Sequence, residues 1–345
     1  MEAARQRLSA IKTKPDLDER SAHFCRGIKK VSDREVARLY RLGEQVMEST
    51  NTGIEVLRAV RLSDKLRCVV KTRARPESFK TPHLEREWRR TTEVQLSMPE
   101  TARLCQYYEV FETETKYYVV MEKVEGEDLF EVLGKGRLSI ADAREIVKQM
   151  LEALAILHGQ GRIHKDLKIE NVMVAMTPPS AHAARPVGDL AASGRLSNSV
   201  GSGGSPASAK LIDFDTMEDW EPSSPKAKEV LGTDGYIAPE AYLGEYSPAS
   251  DIYAAGVVMY KILVGDFPTR DDIFDDRPGE NWVGSPQMKK IHERLKSEVV
   301  DFTCPPFDAD SAAAVLCASL LKFDPADRPS ASEALQHEWF YVAEQ

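Results

Sequence analysis

Hydrophobic residues recur along this chain with two different periods. From Glu35 to Lys123 short runs alternate apolar and polar positions, as from Val56 to the run Val69-Val70-Lys71, and this spacing predicts strands. One helical stretch, Leu84 to Val94, interrupts them. From Glu125 onward the helical period dominates. The segment Ala141 to His158 places Ile146, Met150, Leu154 and Leu157 on one face, which predicts a long amphipathic helix. Ser139 is its expected cap, with Asp142 three positions on. The apolar run Ile252 to Val264 contains Lys261 and is too short to cross a bilayer, so it reads as a core helix.

Two segments carry neither pattern. Residues 1–35 are charge-rich and read as an extension outside the folded core, with a helix around Glu2 to Ile11. Between about Thr177 and Ala209 the composition shifts to Ser, Gly, Ala and Pro. Such a stretch cannot bury enough apolar surface to offset chain entropy, so disorder is expected at 177–209. Ser193, Ser197, Ser199, Ser202 and Ser205 make it a candidate for phosphorylation, although a tolerated surface insertion is the simpler reading.

Composition narrows the function classes. A net charge of −9 argues against nucleic-acid binding, which needs a basic face. The 5 cysteines are scattered and form no C-x-x-C pair, which fits reduced thiols and a cytoplasmic or nuclear setting. The start, Met1-Glu2-Ala3-Ala4-Arg5, has no signal-peptide core, and Glu2 rules out N-myristoylation there. No membrane association is expected.

The chemistry is concentrated in segments that follow one another in a fixed order. His164-Lys165-Asp166-Leu167-Lys168-Ile169-Glu170-Asn171 fits the template H-[R/K]-D-L-x-x-x-N at every defined offset. Leu211-Ile212-Asp213-Phe214 is a short apolar strand ending in Asp-Phe, and Gly232 to Glu240 ends in Ala-Pro-Glu. Upstream, Val69-Val70-Lys71 closes a strand. From about Val36 to Phe340 the chain therefore resembles a eukaryotic-type serine/threonine protein kinase. The runs Tyr108-Glu109-Val110-Phe111-Glu112 and Ala334 to Phe340 resemble the calcium/calmodulin-dependent group, in particular the catalytic domain of calcium-dependent protein kinases. No EF-hand loop pattern is present, so direct calcium binding is not expected.

The resemblance implies an α+β, bilobal fold: a small antiparallel β lobe with one main helix at 36–124, and a larger helical lobe at 125–345. It implies ATP and magnesium as cofactors and a protein substrate phosphorylated on Ser or Thr. Asp166 would take or orient the hydroxyl proton, Lys168 would neutralise the transferring phosphate, and Thr233 would bond toward both. Asn171 and Asp213 would hold the metal. Lys71 would contact the phosphates and pair with a helix carboxylate, Glu93 by counting back from Tyr108, with Glu87 as runner-up. Val56, Val69, Met121, Glu122, Val124, Asp128 and Met173 would line the nucleotide site. Glu240 and Arg328 would form a buried ion pair, and Asp251 would support the catalytic loop. Asp128 and Glu170 point to basic residues upstream of the phosphorylated site. Lys165 replaces the commoner arginine and lacks its planar fork, so activation is expected to depend less on loop phosphorylation.

Three departures bear on activity. The glycine positions of the nucleotide loop fall on Ser49, Asn51 and Ile54, with only Gly53 nearby. Val69 stands in place of a smaller alanine, and Asp215 in place of the glycine after Asp-Phe. The first denies the backbone its close approach to phosphate. The last adds negative charge beside it. The retained Lys71, Asp166, Asn171 and Asp213 favour a kinase of reduced rate; the alternative is a pseudokinase acting as a nucleotide-responsive scaffold.

Overall fold

The computed structural model describes residues 27–47, 53–79, 81–176, 206–274 and 280–341. Six strands build the first sheet: β1 (Lys29–Lys30), β2 (Tyr40–Met47), β3 (Ile54–Arg61), β4 (Arg67–Ala74), β5 (Tyr107–Glu112) and β6 (Lys116–Glu122). Their order is β1-β5-β6-β4-β3-β2. Every neighbouring pair is antiparallel except β1, which runs parallel along β5.

The alternation read from sequence sorts β4 into two faces. Cys68, Val70 and Thr72 are buried, and Cys68 and Val70 pack with Val36, Tyr40, Ala59, Phe111, Tyr118 and Val120 in one cluster. Val69, Lys71 and Arg73 belong to the opposite, less buried face. There α3 (Pro82–Leu96) packs Trp88 and Leu96 into the larger core with Val110, Tyr117 and Val119.

The lobe begins earlier than the expected boundary at residue 35, which is a correction. α1 (Asp33–Leu39) opens with a capping box between Ser32 and Glu35 and buries Val36. Lys29 pairs with Glu109 at 2.6 Å, and Tyr118 donates to Asp33 at 2.9 Å. Charges that read as a solvated tail are thus committed to the sheet. The helix expected near residues 2–11 lies outside the described residues. A short helix, α2 (Arg75–Ser78), links β4 to α3.

The second lobe is mainly helical: α4 (Leu129–Lys135), α5 (Ile140–Gly159), α6 (Pro248–Val264), α7 (Pro286–Ser297), α8 (Ser311–Leu320) and α9 (Ala331–Ala334). Ser139 caps α5 by accepting from the Asp142 amide, and Ile146, Met150, Leu154 and Leu157 are all buried. α6 is the buried centre. A Cβ on its Gly256 would stand 2.9 Å from Leu320 and Leu321, so this glycine permits the close approach of α8. No helix among the described residues is long and apolar enough to cross a membrane.

Short strands complete this lobe: β7 (Glu127–Asp128), β8 (Arg162–Ile163), β9 (Val172–Met176), β10 (Pro206–Leu211) and β11 (Glu218–Asp219). β10 pairs antiparallel with β9, β9 also pairs with β7, and β11 pairs with β8. The expected insertion therefore ends sooner than 209. Residues 206–209 are strand, and the Ala209 amide donates to Gln149 Oε1 at 2.7 Å. Ala209 is buried in the larger core, which its low-complexity surroundings concealed. The remaining expectation, at 177–205, falls outside the described residues.

Candidate active site

The catalytic-loop segment hangs from one buried carboxylate. Asp251, in the first turn of α6, accepts from the amides of His164 (2.8 Å) and Lys165 (2.9 Å), and lies 3.0 Å from His158 Nε2. Burial alone would raise this carboxyl, but His158 and then His164 hold it below its ordinary value. Lys165 adopts a left-handed φ of 69°, a turn the Asp251 bonds help to hold. Thr216 donates to the His164 carbonyl at 2.9 Å, tying the loop to the segment after Phe214.

Next in the loop stands a compact polar cluster. Thr233 Oγ1 donates to Asp166 Oδ1 at 2.8 Å, and Lys168 Nζ donates to Thr233 Oγ1 at 2.9 Å. Lys168 Nζ is also 3.5 Å from Asp166 Oδ2. Asn171 donates its Nδ2 to the Asp166 carbonyl at 2.7 Å, which leaves Oδ1 as an acceptor. Asp213, with a φ of 57°, is engaged by Lys71 through Oδ1 at 2.8 Å. The Asn171 and Asp213 oxygens suit a hard cation such as magnesium, which commonly takes its other ligands from water and phosphate. Among the described residues no group of three or more His, Cys, Asp or Glu stands where it could hold a metal ion.

The partner of Lys71 is a correction. Glu93 is exposed and makes no ion pair with Lys71, and Glu87 lies 3.2 Å from His83 instead. Lys71 Nζ meets Asp215 Oδ2 at 2.7 Å in addition to Asp213. The physical reason is the helix phase: α3 turns Trp88, Thr92, Gln95 and Leu96 inward, and none of these is acidic. Burial would lower the Lys71 ammonium, but Asp215 and then Asp213 hold its pKa above the usual lysine value. Asp215 in turn is held below the usual carboxylate value, against its burial, by Lys71 and then Arg73. Arg73 was not expected at the site, and Asp215 was expected there as an added negative charge beside the phosphates but not as a partner of Lys71. The signal available was the two-residue spacing of Lys71 and Arg73 on one strand face, opposite an acid that replaces a glycine.

The expected nucleotide wall is assembled from several strands. Val56 registers with Lys71, Val69 with Met121, and Asp128 with Met173. All six are only partly buried. Glu122 closes β6, donating its amide to Gln106 O, while its carboxylate takes Lys210 at 2.5 Å. Val124 packs on the large core. Asp128 caps α4 by accepting from the Glu131 amide at 2.8 Å. Ser49 and Asn51 lie outside the described residues. Gly53 has a φ of 78°, and a Cβ there would stand 2.9 Å from Glu77 and 3.0 Å from Ser78, so this glycine serves packing against α2.

The Ala-Pro-Glu end is locked from below. Arg328 meets Glu240 through two parallel bonds of 2.8 Å and donates to the Lys322, Phe323 and Ala249 carbonyls, while Ser250 donates to Glu240. Both partners are buried. Lys165 Nζ is paired with Glu218 at 2.6 Å and sits 4.3 Å from the Tyr246 ring centre. Asp219 meets Arg90 of α3 and Arg162 of β8 at 3.2 and 3.4 Å.

The family model for the protein kinase domain matches residues 52–340. The chain belongs to this family. It is 32% identical over 249 residues to calcium/calmodulin-dependent protein kinase type IV of Mus musculus, covering 71% of this chain and 44% of that protein. It is 28% identical over 250 residues to calcium-dependent protein kinase 4 of Plasmodium berghei (strain Anka), covering 71% and 39%. Calcium-dependent protein kinase 8 of Arabidopsis thaliana is 27% identical over 257 residues, covering 74% and 40%. These are the groups that the Tyr108 and Ala334 runs of this kinase resemble. The chain spans less than half the length of each of these relatives.

Proposed function

We propose that the chain is a serine/threonine protein kinase that transfers the γ-phosphate of ATP to a protein hydroxyl. The observation that carries this reading is the Asp166–Thr233–Lys168 cluster, closed by bonds of 2.8 and 2.9 Å at the base of the cleft. It supports Asp166 as the group that accepts the hydroxyl proton while the substrate oxygen bonds to phosphorus and the bond to the ADP oxygen breaks. Lys168 lies where it would offset charge on the transferring group. Lys71 would hold the nucleotide phosphates. A magnesium ion held by Asn171 and Asp213 would supply charge neutralisation across the phosphates.

Substrate choice follows from the groove. One carboxylate oxygen of Glu170 is buried with no hydrogen-bond partner, and Tyr236 is beside it, its hydroxyl pushed up by burial and then by the Glu170 charge. The Glu170 charge supports a preference for a basic side chain upstream of the phosphorylated Ser or Thr. Lys165 is already neutralised by Glu218, which supports activity that does not await a loop phosphate.

A second reading, a nucleotide-responsive scaffold, is favoured by the small lobe: Gly53 is committed to packing and α3 presents no acid to Lys71. Transfer of radiolabelled phosphate from magnesium-ATP to a basic Ser/Thr peptide mixture separates the two. The kinase reading requires transfer by the wild type and its loss in Asp166→Asn. No transfer by the folded wild type with several divalent metals would favour the scaffold.

A further inference from the structure

Two oddities of this site complement each other. Protein kinases place a carboxylate from the helix after the lysine strand against that lysine, and here the helix has none to give. Of the acids in α3, Glu85 is bound to Arg75 and Tyr117, Glu87 lies against His83, and Glu93 faces outward. At the same time an acid, Asp215, occupies the place of a glycine after Asp213-Phe214. Its Oδ2 is 2.7 Å from Lys71 Nζ and 3.6 Å from Arg73 Nη2. Lys71 and Arg73 share one face of β4 because they are two residues apart.

We propose that Asp215 is the positioning residue for Lys71, replacing from the activation segment, the stretch from Asp213 to Glu240, the carboxylate that the helix lacks. The proposal rests on the kinase reading of Lys71. Arg73 pairs with the same Asp215 oxygen at 3.6 Å, and its guanidinium lies 5.3 Å from the Trp88 ring and 5.0 Å from the Phe79 ring. Trp88 thus reaches the pair through a cation–π contact where an acid would have reached it directly. Gln95, almost two turns further along α3, donates to the Phe214 carbonyl at 2.7 Å and fixes the backbone just before Asp215. The helix holds the frame, and the activation segment supplies the charge. The negative charge beside the phosphate site is therefore neutralised in place and does not repel nucleotide.

A double-mutant cycle on nucleotide affinity tests this. Binding of N-methylanthraniloyl-ATP to the full chain is followed by fluorescence, with and without magnesium, for wild type, Asp215→Asn, Lys71→Met and the double variant. Loss of one charge-assisted contact predicts weakening of about tenfold in Asp215→Asn. Asp215→Glu should recover much of that loss, and thermal midpoints should show both variants folded. In the Lys71→Met background, Asp215→Asn should cause no further weakening. Where transfer is measured, Asp215→Asn should lower kcat by a larger factor than it raises KM for ATP.

Thr92 lies between Trp88 and Gln95 on the buried face of α3, so Asp215→Gly combined with Thr92→Glu should restore part of the affinity lost in Asp215→Gly alone. Equal or tighter binding by Asp215→Asn, or the same loss in both backgrounds, would overturn the proposal, as would a wild type that binds no nucleotide. The expected coupling without any phosphate transfer would sink the kinase reading and leave this inference standing. Transfer by Asp215→Asn with wild-type rate and affinity would do the reverse.

Discussion

The two sides of the cleft are built by different means. On the large-lobe side, Asp166, Lys168, Asn171 and Thr233 are joined by short bonds within and beside one loop, and Asp251 fixes that loop from below. On the small-lobe side, Lys71 depends on carboxylates that arrive from far along the chain, and the helix beside it contributes an aromatic ring. A contact made within a few residues survives as a pattern of offsets. A contact made between distant segments can be reassigned to another element, provided charge balance at the lysine is kept.

The sharpest way to break this comparison is to remove the deepest support of the large lobe. Arg328→Ala would leave Glu240 buried and unpaired, and should cost about 3–5 kcal/mol in urea unfolding. A loss under about 1 kcal/mol would mean that the lower anchor is not rigid.

Asp251→Asn comes next. An amide has one acceptor oxygen, whereas the His164 and Lys165 amides point at two different oxygens of Asp251. Phosphate transfer should fall by about a hundredfold through misplacement of Asp166, with KM for ATP little changed. A change in KM alone would place Asp251 on the nucleotide side instead.

Acid titration of stability sharpens the contrast further. Asp251 has a folded pKa below its ordinary 3.8, so the native state binds fewer protons than the unfolded chain in that window. Its contribution is complete above the unfolded value and is lost as pH falls through the lowered folded one. The acid limb measured by circular dichroism should therefore be shallower in Asp251→Asn than in wild type. An unchanged slope would contradict the buried contact with His158.

The smallest effect belongs to the exposed tie between the lobes. Arg90→Ala should cost no more than about 1 kcal/mol, and any change in transfer should vanish at high salt. A large, salt-resistant loss would show that α3 controls the activation segment directly.

The same distinction explains what the sequence disclosed. The strand alternation through β4 and the capped helix from Ser139 are local, and each is found at its expected place in the fold. The expectation of Glu93 rests on residue spacing across the loop before Tyr108, and spacing carries no information about helix phase. Only the burial of Trp88, Thr92 and Gln95 shows which side of α3 faces in. The early boundary failed for another reason: Lys29 and Asp33 look solvated until their partners, Glu109 and Tyr118, are known.

One further consequence lies in the hairpin of β9 and β10. Val172 pairs with Leu211, and the Ile212 amide donates to the Asn171 carbonyl at 3.0 Å, so Asn171 and Asp213 stand at the open jaws of a two-stranded clip. The gap between those jaws is a matter of ladder register. A slip by two residues would shift one jaw by about 7 Å, whereas lengthening the connection at the opposite end would leave the jaws where they are. The clip insulates the spacing of two oxygen donors from the length of the chain that joins its strands.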